Sequence, residues 1–216
     1  VYKMPHLEGW TVAGDQTFVP AIGQHRVLVM DSKSWKQTDA IDVAGQPVFV
    51  MARPDARRVL LIGAGHVAES MIDAYRAMIP DAAVTIWNRT HASAERLAQR
   101  VGATAATDLE SAVRDAEIIA TTTMSTTPVL PGEWLSPGTH VDLIGAYRPD
   151  MREADDETLR RARLFVDSRA TTLGHIGEIQ IPLDQGVITS NDVLADFYDL
   201  PAGAYARQSD DEITVA

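Results

Sequence analysis

The chain has 216 residues and no cysteine, which excludes a disulfide framework, a cysteine-ligated metal site and a cysteine nucleophile within it. With 45% hydrophobic and 23% charged residues, it is typical of one ordinary α/β domain with a modest appendage, long enough to bury a core. The formal net charge of −11 disfavours DNA, RNA and acidic membranes as partners, so any phosphate site has to be built locally from backbone N–H groups and one or two cations.

Residues 1–55 are irregular, with glycines and prolines between short apolar runs. Two of these runs, residues 26–30 and 48–51, predict strands, and residues 52–55 predict a connector. From about residue 58 onwards, short apolar strands alternate with segments of helical spacing, which predicts βαβ units and a parallel sheet. The predicted strands are residues 59–62, 84–87, 118–121, 141–144 and 164–166, and the predicted helices are residues 67–79, 93–101, 108–116, 155–162 and a last helix from the N-cap candidate Asn191 through Phe197.

Ligands of an open parallel sheet bind beyond the carboxyl ends of its strands, which places the function in the loops after Ile62, Trp87, Thr121 and Ile144. The first of these loops has the G-x-G-x-x-G/A pattern of a dinucleotide site. Gly63 permits the tight turn, Gly65 lets the backbone approach a pyrophosphate, and Ala68 lets the next helix pack close to the strand. The N-terminus of that helix offers unpaired N–H groups to the phosphates. The alternative is a glycine turn that serves only packing.

The loop after the second strand indicates which dinucleotide binds. A site for NAD(H) usually has an acidic residue about 20 residues after the first glycine, where it holds the ribose 2′-hydroxyl. This chain has the neutral Asn88, followed by Arg89, whose guanidinium can bind a 2′-phosphate, and Thr90 and Ser93 add hydroxyl donors. We therefore predict NADP(H) as the cofactor. The alternative is a solvated arginine followed by an N-cap threonine, and both can hold at once.

Two further groups of residues are candidates for contacts with cofactor or substrate. The hydroxyl side chains of residues 121–127 suit the ribose and amide of a cofactor, or form an ordinary polar loop. Among the histidines, we expect His66 to line the cofactor and His140 to be structural, whereas His175 lies in a glycine-containing loop and is a candidate acid–base group. We expect no metal, because no pair of histidines has ligand spacing beside a carboxylate.

Six short motifs follow one another in the chain, within roughly residues 48–200. They are residues 84–90, 128–134, 137–140, 145–153, 166–168 and 177–178. Together they resemble the ornithine cyclodeaminase/μ-crystallin family. Shikimate dehydrogenases share the Asn-Arg-Thr turn of the first motif, but residues 145–153 do not look like theirs. The resemblance implies an α/β fold, with a Rossmann-type doubly wound parallel sheet joined to a dimerisation domain.

The resemblance also implies the domain organisation and the cofactor contacts. Residues 1–55 are expected to form a partial N-terminal substrate and dimerisation region, residues 56–200 the NADP-binding Rossmann-type domain, and residues 201–216 a segment returning toward the first region. The family forms dimers, so we expect a homodimer. Carried over by position, the cofactor contacts are Gly63, Gly65, His66, Val67, Asn88, Arg89, Thr90, Ser93, Thr123, Met124, Ile144 and Tyr147.

The sequence departs from the family pattern on the substrate side. Cyclodeaminases have a catalytic Asp in a Gly-Gly-Asp sequence after the fifth strand, where this chain has Gly-Ala followed by Tyr147. Ketimine reductases similar to μ-crystallin also lack that Asp, so Tyr147 favours imine reduction. The family's substrate-carboxylate Arg falls at Asp39 in ungapped counting. Either the ungapped count is out of register, and Lys36 or Arg26 takes the place of that Arg, or the carboxylate site is altered or lost.

The resemblance and the departures together predict an NADPH-dependent reductase of cyclic 2-imino acids, of the Δ1-pyrroline-2-carboxylate or Δ1-piperideine-2-carboxylate type. Hydride would pass from the nicotinamide to the C=N carbon. Lys3, near the position of the family's substrate lysine, is expected to hold the substrate carboxylate or donate a proton, and Tyr147 to lie at the catalytic centre. The alternatives are a μ-crystallin-like nucleotide-binding protein with little catalysis, and ornithine cyclodeaminase.

Composition also bears on location and partners. The lack of cysteine suits a reducing cytoplasm, no apolar run of about 18 residues occurs, and the N-terminus lacks a signal-peptide pattern. We therefore expect a cytoplasmic protein without a membrane span, whose partner is a small imino or amino acid. The family's chains are longer than this one, at around 300 residues or more by the resemblance, so a fragment or a reduced member is expected.

Overall fold

The computed structural model describes residues 11–21, 26–42, 56–196, 198–199 and 207–216. The first two of these segments form a small antiparallel sheet whose strands lie side by side in sequence order. Its strands are β1 (Thr11–Ala13), β2 (Gln16–Ala21), β3 (Arg26–Asp31) and β4 (Gln37–Asp42). Strand β3 confirms the strand predicted for residues 26–30, whereas the strand predicted for residues 48–51 and the connector after it lie outside the described residues.

A second, larger sheet carries the predicted α/β pattern. Its strands are β5 (Arg58–Ile62), β6 (Ala83–Trp87), β7 (Thr104–Ala105), β8 (Ile118–Thr121), β9 (His140–Leu143), β10 (Arg163–Phe165), β11 (Val193–Ala195) and β12 (Thr214–Val215). Among the described residues these strands are all parallel, in the order β11-β10-β12-β9-β8-β5-β6-β7. The predicted doubly wound parallel sheet is confirmed.

Helices connect the strands and cover both faces of this sheet. They are α1 (His66–Met78), α2 (His91–Val101), α3 (Leu109–Asp115), α4 (Asp156–Arg161), α5 (Arg169–Thr172) and α6 (Gly177–Asp184). Asp108 begins α3 as predicted, since its side chain accepts hydrogen bonds from the backbone N–H groups of Glu110 and Ser111. Asp155 caps α4 in the same way, through the N–H of Thr158. Each carboxylate satisfies an otherwise unpaired N–H at the positive end of its helix.

Strand β5 illustrates why a parallel sheet forms here. Leu60 and Ile62 point into one core with residues of α3 and α4, and Val59 and Leu61 point into another with residues of α1 and α2. All four side chains are buried. A strand that is covered on both faces needs a continuous apolar sequence, and residues 59–62 provide one.

The helix expected from Asn191 through Phe197 is wrong. Residues Ser190–Asp192 form a short 3₁₀ turn, and Val193–Ala195 form strand β11, parallel to β10. The turn is capped by Thr189, which donates hydrogen bonds from its hydroxyl and its backbone N–H to the carboxylate that ends the turn. The segment continues as a strand because its first and third side chains are buried in the sheet. Phe197 itself lies outside the described residues.

The small sheet packs against the far end of α1. Phe18, Val27 and Val29 form its buried cluster, and Met78, in the last turn of α1, packs against them. An α-helix rises 1.5 Å per residue, so Met78 lies about 18 Å along the axis from the start of α1. The small sheet thus contacts α1 at the end that faces away from the loop after β5.

The C-terminal residues take part in the large sheet. Strand β12 lies between β9 and β10, with Thr214 opposite His140 and Val215 opposite Val141. Residues 214–215 are thus engaged in the large sheet, and the expected return of residues 201–216 toward residues 1–55 stays a prediction. The predicted domain boundaries stay a prediction. In the described parts of the chain, no helix is long and apolar enough to cross a membrane.

Candidate functional site

The four loops predicted to carry function lie at one edge of the large sheet. Their strands β9, β8, β5 and β6 are direct neighbours. The strand ends are level, because Ile62 pairs with both Trp87 and Thr121, and Thr121 pairs with Leu143. Parallel strands end at the same edge, where their loops can surround one ligand. The structure therefore brings these loops together as the sequence predicts.

Two glycines shape the loop after β5. Gly63 has a φ of +121°, which L side chains rarely adopt, and its N–H donates to the Trp87 carbonyl over 2.8 Å. A Cβ on Gly63 would overlap the Thr122 hydroxyl, whereas a Cβ on Gly65 would have no heavy atom within 4 Å. Space therefore lies open in front of α1, whose N-cap Gly65 makes no side-chain capping bond. Open space before uncapped helix N–H groups fits an anionic pyrophosphate.

The loop after β6 gathers hydroxyl and guanidinium groups. Asn88 Nδ2 donates to the Thr90 carbonyl at 3.0 Å, and Arg89 and Thr90 are exposed. Thr90 is the N-cap residue of α2, but its side chain makes no capping hydrogen bond. Arg96, to which the sequence did not point, donates to Ser93 Oγ at 2.9 Å. Because Arg96 lies one helical turn after Ser93, it places a second guanidinium beside a predicted 2′-phosphate contact.

The hydroxyls after β8 serve the protein's own loops. Thr121 Oγ1 donates to Glu153 at 2.8 Å, Thr123 Oγ1 donates to Glu153 at 2.6 Å, and Thr122 Oγ1 donates to the Ile62 carbonyl at 3.3 Å. A buried carboxylate thus engages two of these hydroxyls as donors, and the prediction that the hydroxyls of residues 121–127 contact a cofactor stays a prediction. Thr123 holds its loop in place, and its hydroxyl is committed to Glu153.

Apolar side chains are exposed at the same edge. Val67, Met124 and Tyr147 are 49%, 70% and 61% exposed, and the Tyr147 hydroxyl lies 3.9 Å from Met124 Sδ. All three are among the predicted cofactor contacts, as is Ile144, whose N–H donates to the Thr121 carbonyl at 3.0 Å. Exposed apolar side chains grouped beside the ends of parallel strands are typical of a surface that a ligand covers.

Two buried carboxylates behind this edge belong to the motifs at residues 145–153 and 177–178, but neither was assigned a role from the sequence. Glu153 is 0% exposed and Glu178 is 4% exposed. Glu178 accepts hydrogen bonds from the backbone N–H groups of Glu153 at 2.6 Å and Ala154 at 3.0 Å. Burial raises the pKa of Glu178 from its usual value of 4.5 to about 7, and these two bonds offset only part of the rise. The available signal was a lone acidic residue among the apolar residues of Gly177–Leu183.

A cavity of about 140 Å³ adjoins Ile144, at the ends of β9, β10 and β12. Its lining is apolar apart from a threonine and three carboxyl groups, those of Asp142, Asp167 and Glu178. The residues that line it include no basic side chain. Such a lining suits an apolar group and would repel a free carboxylate.

The structure gives the three histidines different positions. His66 is exposed at the first residue of α1, beside the glycine turn. His140 is buried, with Nδ1 2.8 Å from Thr214 Oγ1 and Nε2 3.0 Å from Asp142 Oδ1, which gives it a structural role. His175 is exposed between α5 and α6 and does not line the cavity.

The substrate side of the predicted site is not assembled in the described residues. Of the two predicted catalytic residues, Tyr147 lies at the carboxyl edge, and Lys3 lies outside the described residues. Asp39, at the expected carboxylate-binding position, is exposed on β4. It belongs to the small sheet, which packs on Met78 at the opposite end of α1 from the glycine turn.

Known proteins resemble most of this chain. A Δ(1)-pyrroline-2-carboxylate reductase of Paracoccus denitrificans is 50% identical over 173 residues, 77% of this chain and 55% of that protein. The mouse ketimine reductase mu-crystallin is 36% identical over 180 residues, 82% of this chain and 55% of that protein. The chain thus spans about half the length of these curated relatives.

A different relative shares only a short stretch. The protein NirF of Stutzerimonas stutzeri is 85% identical over 59 residues, which is 27% of this chain and 15% of that protein. Because this match leaves nearly three quarters of the chain unaccounted for, it does not define the family.

Solved structures and a family description agree on the fold. The structure of Thermococcus litoralis Δ(1)-pyrroline-2-carboxylate reductase with NADH and L-proline matches with a TM-score of 0.70 at 21% identity, covering 96% of this chain and 79% of that one. An archaeal alanine dehydrogenase dimer with bound NAD also gives 0.70, at 24% identity, covering 96% and 77%. These likenesses show the Rossmann-type fold. The model of the ornithine cyclodeaminase/mu-crystallin family matches residues 27–216, and the chain belongs to that family.

Proposed function

We propose that this chain binds NADP(H) in preference to NAD(H) and belongs to an enzyme that reduces cyclic 2-imino acids of the Δ1-pyrroline-2-carboxylate or Δ1-piperideine-2-carboxylate type. The observation that carries the proposal is that β9, β8, β5 and β6 end at one shared carboxyl edge. The glycine turn, the Asn88–Thr90 turn and exposed apolar side chains meet there. The 50% identity to a Δ(1)-pyrroline-2-carboxylate reductase supports the choice of substrate class.

The residues at this edge divide between the two ends of such a cofactor. The backbone at Gly63 and Gly65 and the N-terminus of α1 would hold the pyrophosphate, and Arg89 would pair with the 2′-phosphate. Met124 and Tyr147 would cover the nicotinamide from the loops after β8 and β9 and exclude water from it. When bound, the reduced nicotinamide supplies hydride to the C=N carbon. We also propose Lys3 as the cation that holds the substrate carboxylate or donates a proton, and a cytoplasmic homodimer as the working form.

Arg89→Ala tests the 2′-phosphate contact. We expect NADPH to bind about 10-fold or more weakly, because a charge-assisted hydrogen bond is lost, while NADH binding changes little. Titration of both dinucleotides against the purified variant gives the two dissociation constants. Arg114→Ala is the matched control, since Arg114 pairs on the surface of α3 with Glu110 and lies away from the four loops. Equal losses for NADPH and NADH would show that Arg89 does not contact a 2′-phosphate.

A direct assay tests the reaction. The protein is mixed with NADPH and Δ1-pyrroline-2-carboxylate, and loss of the reduced-nicotinamide absorbance is followed over time. We expect consumption of NADPH that depends on the imino acid and yields proline. Binding of NADPH without turnover would contradict the reductase proposal.

A second candidate is a nucleotide-binding protein with little catalysis. It is favoured by Asp39 at the expected carboxylate-binding position and by the cavity beside Ile144, whose charged lining residues are carboxylates. Both features oppose binding of a substrate carboxylate. Ornithine cyclodeaminase activity is disfavoured, because Tyr147 stands where cyclodeaminases have their catalytic Asp.

A further inference from the structure

We propose that Glu153 is a positioning residue for the nicotinamide end of the cofactor site, where its buried carboxylate ties the loop after β8 to the loop after β9. The inference rests on the proposed dinucleotide site. It concerns a side chain that contacts neither of the proposed phosphate-binding turns and acts through the two loops it joins.

Four hydrogen bonds converge on this one carboxylate. Glu153 Oε1 accepts from the backbone N–H and the hydroxyl of Thr123, each at 2.6 Å. Glu153 Oε2 accepts from Thr121 Oγ1 at 2.8 Å and from the Gly145 N–H at 2.6 Å. Thr121 and Thr123 belong to the end of β8 and its loop, and Gly145 belongs to the loop after β9. The carboxylate therefore joins the end of β8 and its loop to Gly145, beside the backbone bond from the Ile144 N–H to the Thr121 carbonyl.

The donor set matches a carboxylate in particular. A carboxylate is an acceptor at both oxygens, with about four lone-pair sites, which matches four donors. A glutamine of the same shape offers one acceptor oxygen and an NH₂ group that would face two of these donors. Because Glu153 is fully buried, water cannot take over the lost bonds.

Further hydrogen bonds fix the backbone of Glu153. Glu178, at the start of α6, accepts hydrogen bonds from the N–H groups of Glu153 and Ala154. The Glu153 carbonyl accepts from the Val129 and Leu130 N–H groups, at 2.7 and 3.0 Å. These contacts fix the backbone that carries the carboxylate and connect it to α6.

The hydrogen bonds to the Glu153 carboxylate hold the part of the site where Met124 and Tyr147 lie. Met124 follows Thr123 directly, and Tyr147 lies two residues after Gly145, so both exposed side chains extend from residues bonded to Glu153. The glycine turn at Gly63 and the turn at Arg89 follow β5 and β6, and no hydrogen bond links either turn to the Glu153 carboxylate. Weakening these hydrogen bonds should therefore increase the mobility of the loops at the nicotinamide end and leave the adenosine end in place.

Glu153→Gln tests this division with two ligands. NADPH reaches both ends of the site, whereas adenosine 2′,5′-bisphosphate reaches only the adenosine end. We expect Glu153→Gln to weaken NADPH about 10-fold or more and adenosine 2′,5′-bisphosphate by less than about 2-fold. Hydrogen exchange of the ligand-free protein should become faster in residues 122–125 and 144–148.

Asp155→Asn is the matched control. Asp155 accepts from the N–H groups of Gly132 and Thr158 and from Thr158 Oγ1, at 2.8 to 2.9 Å, so it is also a carboxylate with several donors. It joins the start of α4 to Gly132, further along the connection after β8 than Thr121 and Thr123. This control should accelerate exchange near residues 130–134 and leave binding of both ligands unchanged.

The outcomes separate the two proposals. If the unsubstituted protein binds no nicotinamide dinucleotide, the proposed function fails, and the role of Glu153 fails with it. If the unsubstituted protein binds NADPH and Glu153→Gln binds NADPH equally well, or weakens both ligands alike, only the positioning role is overturned. A loss confined to NADPH, with faster exchange in the two loops, supports it.

Discussion

Replacement of Glu178 by Gln should remove a contribution of Glu178 to the free energy of unfolding, which falls by about 3 kcal/mol as the pH rises from about 4.5 to about 7. Burial raises the pKa of the Glu178 carboxyl to about 7 when the protein is folded, against 4.5 for the ordinary group. Between these values the folded chain keeps a proton that the unfolded chain has released. The stabilising contribution of that proton is complete below about pH 4.5 and is lost as the pH rises through about 7.

Urea unfolding at a series of pH values measures this effect as the difference between the unsubstituted protein and Glu178→Gln. Other titrating groups contribute to both proteins and cancel in the difference. Glu157→Gln is the matched control, because it removes a carboxyl group from an exposed position in the first turn of α4. A difference between the unsubstituted protein and Glu178→Gln that stays constant from about pH 4.5 to 7 would contradict the raised pKa of Glu178.

The core of the fold could be predicted from local sequence because its signals are local. Residues 59–62 are continuously apolar, since both faces of β5 are covered, and Gly63 follows where the backbone takes a φ of +121°. The cap at Asp108 is equally local, because its carboxylate bonds N–H groups within three residues of itself. Such features depend little on the rest of the chain, so spacing and residue type suffice.

The helix expected from Asn191 through Phe197 is wrong because residues distant in the sequence determine the structure there. Val193–Ala195 is a short apolar run, and such a run is compatible with either a helix or a strand until its partner is known. The parallel pairing with β10 makes it a strand. The acceptor of the Thr121 and Thr123 hydroxyls is likewise beyond local sequence, because Glu153 lies about 30 residues further along the chain.

The substrate end shows a third kind of difficulty. The position of Asp39 depends on how the N-terminal residues align with a family pattern, and the structure places its sheet against Met78, far along α1 from the glycine turn. The cofactor end lies within one regular domain, whereas the substrate end depends on how a second region is placed against it. A repeated βαβ pattern predicts the first, and no local pattern predicts the second.

Gly145→Ala should lower the free energy of unfolding by about 3 kcal/mol or more. A Cβ on Gly145 would overlap the backbone oxygen and nitrogen of Thr123 and would lie 2.6 Å from Glu153 Oε1. Backbone atoms cannot move aside by changing rotamer, so the loops after β8 and β9 would have to separate. Their separation would also break the 2.6 Å bond from the Gly145 N–H to Glu153, which leaves a buried charge with fewer donors. Chemical denaturation of the variant measures the loss.

Gly65→Ala is the control that distinguishes the roles of the two glycines. A Cβ on Gly65 meets no heavy atom within 4 Å, and the residue has a φ of −92°, so the substitution should change the free energy of unfolding by no more than about 1 kcal/mol. The same methyl group would project into the open space before α1, and NADPH should bind more weakly. Gly145 would then be a glycine required by the fold, and Gly65 one required by the ligand. Equal stability of the two variants would contradict the close approach of Gly145 to Thr123.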